Sequence, residues 1–218
     1  GTLKLATWSG KKWLIKTVDG DGTAGGKTNN SVAGSISICT NKVRKTEFIA
    51  NIPTEEVFTM PHKDKVNGIV YASKPLNYQG ALIDGFAIEF KDGKAIKVSA
   101  KDNQEVLENL IKVDDGACML GEVALVGYDT PISKSGILYY NTLFDENASC
   151  HLALGKAYPT CIEGSDDLNT EELSKLGVND SAIHVDFMFG TKDLSVIGVK
   201  KDGSQVVIFE DGNFIKGE

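Results

Sequence analysis

The stretch AIEFKDGKAIKVSA, residues 87–100, alternates apolar and polar residues on both sides of Asp92-Gly93. A period of two interrupted by an Asp-Gly pair is the pattern of two antiparallel strands joined by a tight turn. Working outward, SVIGV and QVVIF flank Asp202-Gly203 and predict a second hairpin. Between them Val106, Leu107, Leu110 and Ile111 recur at helical spacing and predict one amphipathic helix. The segment DENASCHLALGKAY, residues 145–158, begins with Asp145 as an N-cap and continues with small and apolar helix formers, so a second helix is expected there. Asn169 followed by Glu172 resembles a capping box with Gly177 as its stop, which marks a third, short helix. Upstream, apolar runs at Trp13–Ile15 and Ile36–Cys39 flank a glycine-rich loop at residues 19–30 and read as strands. Strands dominate without βαβ alternation, so the expected class is α+β: a largely antiparallel β-sheet domain with a few helices.

Composition narrows the function. Lys and Arg number 23 against 30 Asp and Glu, a net charge of −7, which argues against nucleic-acid and anionic-membrane partners. No apolar run reaches the roughly 20 residues that span a bilayer, and no signal peptide leads the chain. The opening GTLKL lacks an initiator Met and reads as a fragment. Cys39, Cys118, Cys150 and Cys161 form no C-x-x-C pair and read as free thiols suited to a reducing cytoplasm. Asn29, Asn147 and Asn179 open N-x-S/T tripeptides, which carry little weight alone. AGGKT at residues 24–28 lacks the earlier glycine of a phosphate loop, that position being Asp21.

Residues able to bind metal recur in apolar settings. In AIHVDFMFG, residues 182–190, Ile183, Val185, Phe187 and Phe189 share one strand face, leaving His184 and Asp186 together on the other. His151 and Tyr158 stand seven apart, on one face of the expected helix. Glu122 opens a β-branched apolar strand, a costly place for a carboxylate without a partner or a metal. Glu55 and Glu56 adjoin an apolar run, and in an extended segment only one of them faces a given site. Glu56, Glu122, His151, His184 and Asp186 together suit two divalent ions, Zn, Co or Mn, bridged by a carboxylate.

The segments PTEEVFT, KPLNYQG, LGEVALV, PISKSGILYYNTLFDENASCHLALG and HVDFMFG resemble the C-terminal half of the thermophilic metallo-aminopeptidase (M29) family. The resemblance covers residues 48–218; residues 1–47 resemble the family only loosely. It implies a cytoplasmic, homodimeric aminopeptidase that acts on peptides with a free N-terminus. It also implies metal ligands at Glu56, Glu122, His151, Tyr158, His184 and Asp186, with Glu122 bridging, and Glu146 as an extra ligand or acid/base residue. The family's N-terminal α/β domain is absent from this sequence. Glu55 is the first candidate for general base and Glu146 the second, with Tyr158 as ligand or oxyanion donor. Two rivals stand beside this reading. One is a non-catalytic metal- or peptide-binding fragment. The other is a thiol amidase built on Cys150 and His151, which adjacent helical residues cannot form because they diverge by about 100°.

Overall fold

The computed structural model describes backbone and side chains for residues 56–162, 165, 167–200 and 202–215, and backbone alone for 2–6, 14–18, 38–40, 47–49 and 166. Glu55 and the glycine-rich loop at 19–30 lie outside the described residues. In chain order the strands are β1 Thr2–Ala6, β2 Leu14–Val18, β3 Ile38–Thr40, β4 Glu47–Ile49, β5 Glu56–Thr59, β6 Gly68–Tyr71, β7 Leu76–Tyr78 and β8 Ala81–Ile83. They continue as β9 Ala87–Lys91, β10 Lys94–Ser99, β11 Leu120–Val126, β12 His151–Gly155, β13 His184–Met188, β14 Val196–Val199, β15 Gln205–Glu210 and β16 Asn213–Phe214. The α-helices are α1 Gln104–Leu110, α2 Pro131–Ser135, α3 Thr142–Asp145 and α4 Thr170–Lys175.

Strand pairing among the described residues is antiparallel throughout, as an α+β class built from hairpins requires. The largest sheet runs β13-β12-β11-β5. A second runs β10-β9-β6 and a third β14-β15-β16. Asp92 and Gly93 turn the β9–β10 hairpin with φ +49° and +87°, the left-handed pair that such a two-residue turn demands. A Cβ on Gly93 would collide with the carbonyl of Lys63, so the turn is also pressed against its neighbour. The hairpin between β14 and β15 likewise forms around residues 202–203.

The amphipathic helix is α1, which buries Leu107 and Leu110. The capping box is complete: Asn169 Oδ1 accepts from the N–H of Glu171 and Glu172, and Glu172 Oε2 accepts from Asn169 N–H at 2.9 Å. Through Leu107 and Leu110, α1 packs on a core that includes Phe86, Ile88, Phe90, Leu152, Leu154 and Phe187, whereas α4 buries none of its residues. Phe86 meets Phe187 with ring centroids 5.6 Å apart, joining the second sheet to the largest.

The helix expected over residues 145–158 does not form. The chain leaves α3 at Asp145, makes a 3₁₀ turn over Glu146–Ala148, and enters β12 at His151. Asp145 caps nothing; Asn141 is the N-cap of α3, its side chain accepting from Leu143 N–H. The cause is burial on both sides. All five residues of β12 are buried between β11 and β13, so the alternation that normally marks a strand is missing. His151 and Tyr158 therefore do not share a helical face.

Candidate metal centre

The large sheet has two faces of opposite chemistry. Across it, Val126 pairs with Glu56, Ala124 with both Phe58 and His151, His151 with Met188, Ala153 with both Glu122 and Asp186, and Gly155 with His184. Residues directly opposite in antiparallel strands share a face, so Glu56, Glu122, His151, His184 and Asp186 all project from one side. Leu152, Leu154, Val185 and Phe187 project from the other into the core. Small Ala124 and Ala153 on the polar side leave room among the larger donors.

Glu122 reaches that side through a bulge. Leu120 pairs with Leu154, but Glu122 pairs with Ala153, so the register shifts at Gly121. The extra residue turns Glu122 out of the core and onto the donor face, a common use of bulges beside functional sites. A Cβ on Gly121 would collide with the carbonyls of Gly155 and Lys156, which leaves space for glycine alone.

The donors converge closely. His151 Nε2 lies 3.1 Å from Glu56 Oε2 and 3.4 Å from Glu122 Oε1. His184 Nε2 lies 3.3 Å from Asp186 Oδ1 and 3.7 Å from Glu122 Oε2. Among the described residues, three sets of donor atoms within 4.8 Å of one another result: Glu56, Glu122 and His151; Glu122, His184 and Asp186; and Glu146, His151 and Asp186. Glu122 belongs to the first two, so its carboxylate stands between them.

Both imidazoles are oriented from behind. His151 Nδ1 lies 3.0 Å from the carbonyl of Ser149, and His184 Nδ1 lies 2.7 Å from the carbonyl of Lys156. A carbonyl only accepts, so each Nδ1 carries the proton and each Nε2 faces the carboxylates, as histidine ligands require. Neither carbonyl is legible in the sequence as a site element. The second is reached because Gly155 turns at φ +99°, where a Cβ would collide with Ile183 O.

The donor set fits a divalent cation. His151 Nε2 and Asp186 Oδ1 are buried without hydrogen-bond alignment, although opposite charges stand 3.1–3.4 Å away. Burial pushes Glu122 up, and it pushes Glu146 up to about 8 with help from the charges of Asp186 and Glu56. Burial alone would lower His151, but Glu122 and Glu56 outweigh it and raise it well above its ordinary value. Burial opposes protonation of His184 too, yet Asp186 holds it up to about 9. Burial would raise Asp186, and the two imidazoles reverse that and lower it. Protons on nitrogen thus offset buried carboxylate charge, a task that a bound cation would take over.

Tyr158 is half-exposed at the rim, its ring 4.9 Å from that of His184 and 6.4 Å from that of Phe58. Burial and then the charges of Glu122 and Asp186 raise its phenol, which keeps its proton. Cys150 faces the core side; burial pushes its thiol up to about 11. Adjacent strand residues point apart, so Cys150 and His151 form no nucleophile-base pair in a strand either.

Most of the chain is similar to proteins of one known family. The description "Thermophilic metalloprotease (M29)" fits residues 35–214, which is most of the chain. The chain belongs to the M29 family. Among M29 relatives, Aminopeptidase 2 of Geobacillus stearothermophilus is 60% identical over 167 residues, covering 77% of this chain and 40% of the relative. Aminopeptidase AmpS of Bacillus subtilis is 52% identical over 168 residues, covering 77% and 41%. The solved structure of wild-type AmpT from Thermus thermophilus is similar with a TM-score of 0.75 and 41% identity, over 84% of this chain and 44% of that one. The chain thus spans about two fifths of the length of the curated M29 relatives it matches.

Proposed function

We propose that this chain is the metal-bearing part of an aminopeptidase that releases N-terminal residues from peptides with two divalent ions. The observation that carries the reading is Glu122, whose two oxygens face two histidines in two donor sets. Charge supports the number: four carboxylates, Glu56, Glu122, Glu146 and Asp186, beside two neutral imidazoles balance two dications. The mixed nitrogen and oxygen donors suit Zn, Co or Mn. Residues 48–218 form the metal-bearing unit on this reading.

Bound there, such ions supply an activated water and Lewis-acid assistance to the scissile carbonyl. The residues do the rest. Glu146, a member of the third donor set, accepts a proton and returns it to the leaving amine; Glu55 is the alternative carrier. Tyr158 stays protonated and donates its O–H toward the developing oxyanion. The remaining acidic charge draws the substrate's N-terminal ammonium.

No described helix is long and apolar enough to cross a membrane. Free Cys118, Cys150 and Cys161 support a reducing, cytoplasmic setting, and a homodimer follows from the family resemblance. Titrating the chain and its Glu122→Ala variant with Zn, Co and Mn, then assaying both on a leucyl anilide, tests the reading. Two ions per chain, lost in the variant together with activity, are expected. A folded chain that binds no metal would leave the non-catalytic fragment as the better reading, and metal uptake without turnover would limit this part to binding.

A further inference from the structure

Asn179, in the segment between α4 and β13, is only 3% exposed. Its side-chain nitrogen donates to two backbone carbonyls from different parts of the fold. One is Gly116 at 2.9 Å, in the turn that leads into β11; the other is Gly155 at 2.6 Å, the last residue of β12. Only the nitrogen end of an amide can meet two acceptors, and both of its protons are spent there. Asn179 also begins the N-D-S tripeptide at residues 179–181, and an amide so enclosed has no nitrogen to offer a glycan.

The Gly155 end of this bridge reaches the donors. Lys156 N–H donates to Ile183 O at 2.7 Å and Ala157 N–H to the Asn179 carbonyl at 2.9 Å, so residues 155, 156 and 157 are each fastened. In the middle of that segment, the Lys156 carbonyl accepts the Nδ1 proton of His184 at 2.7 Å. His151 is aimed from elsewhere. Its carbonyl is that of Ser149, whose hydroxyl donates to Gly190 O at 3.0 Å. The two imidazoles therefore have separate supports, and Asn179 serves one of them.

We propose that Asn179 is the positioning residue of the donor set Glu122, His184 and Asp186. By tying Gly155 to the turn before β11 it aims the Lys156 carbonyl at His184, and so sets the affinity of one ion and not of the other. The inference rests on the two-ion reading and deepens it, because the two ion positions become unequal in what holds them. Removing such an outer partner of a metal-binding histidine costs about 10- to 100-fold in affinity. Glu122 is common to both sets, so the imidazoles decide where the loss falls.

Zinc titration of the metal-free chain against a chromophoric chelator reads the two binding steps, and His184→Ala marks the step that belongs to its own donor set. In Asn179→Ala that step should weaken about 10- to 100-fold, with the other kept within about 3-fold. Asn179→Asp keeps the outline of the side chain but turns a carboxylate toward two carbonyls, and should lose the same step. Adding Asn179→Ala to His184→Ala should weaken the remaining step no further, since the two residues act through one ring. Equal weakening of both steps, or of neither, overturns the inference; Asn179 is then a general fastening of the fold, and the two-ion reading stands. Should neither variant fold, the wild type carries the test, because coupling is reciprocal. Filling the His184 set should slow exchange of the Asn179 side-chain amide protons about 10-fold, and filling the other should not. Exchange unchanged through both steps overturns the inference. A wild-type chain that takes up fewer than two zinc ions removes the two-ion reading and this inference with it.

Discussion

Leu120 and Glu122 lie two residues apart on β11 yet face opposite sides of the sheet, Leu120 against Leu154 and Glu122 against Ala153. The bulge at Gly121 separates a core residue from the carboxylate shared by two donor sets.

Gly121→Ala is therefore expected to damage fold and site together. The new methyl group meets two carbonyls that cannot retreat without parting β11 from β12. A loss of about 2–3 kcal/mol in urea unfolding should accompany at least a 10-fold loss of metal affinity. Wild-type values for both would show that the strand accommodates a side chain and that the bulge is not what aims Glu122.

Protons and metal compete for the same atoms. The folded values of His184, about 9, and Glu146, about 8, both lie above the ordinary 6.5 and 4.5. Each group thus binds more protons folded than unfolded within its own window, 6.5 to 9 and 4.5 to 8. Their contribution to the metal-free protein is fully present below those ordinary values and is lost as pH rises through 8 and 9. Metal binding displaces the protons, so affinity should rise with pH and uptake should release acid. Calorimetry in buffers of differing ionisation enthalpy, beside unfolding at pH 6 to 9.5, measures both. No proton release on uptake at pH 7 would contradict the assignment of these nitrogens as ligands.

Glu146→Gln and Glu55→Gln separate the two proposed proton carriers. With the ions retained, loss of the carrier should lower kcat by roughly 10²- to 10⁴-fold, whereas the other variant should stay within a few-fold. The burial of Glu146 beside Asp186 and His151 favours it. A near-normal Glu146→Gln enzyme and an inactive Glu55→Gln enzyme would reverse the assignment.

Much of this site was legible from local pattern. His184 and Asp186 alternate with Val185 and Phe187, and the structure keeps both on one face. The 145–158 segment reads as a helix because Ala148, Leu152, Ala153 and Leu154 are good helix formers. A strand buried on both faces looks the same in sequence, and pairing with β11 and β13 overrides local preference. The facing of Glu122 was also out of reach. It depends on a bulge at Gly121, where the carbonyls of Gly155 and Lys156, more than thirty residues away, leave no room for a side chain. The carboxylates and histidines were recognisable as metal-binding types, but their meeting is a property of strand register.

Asp114 offers a test away from the donors. Its carboxylate accepts from the N–H groups of Gly116, Ala117 and Ala182 and from the Ser181 hydroxyl, tying the start of β11 to the segment that enters β13. The Ala182 N–H is the leading cause that holds this group below its ordinary 3.8. A depressed folded value contributes stability above 3.8 and loses it as pH falls below. Asp114→Asn should cost about 1 kcal/mol at pH 7, a modest figure because the group is open to solvent, and the difference from wild type should shrink toward pH 3. A pH-independent gap in urea midpoints would assign the loss to packing.

β12 places Leu152 and Leu154 in the core and His151, Ala153 and Gly155 beside the donors, so one five-residue ribbon serves two masters in strict alternation. In a saturation library scored for both cellular abundance and peptide cleavage, the even positions should deplete the protein itself. Polar replacements at position 151 should leave inactive protein that still accumulates, giving a period-two signature by which a genetic screen could find this strand without any structure.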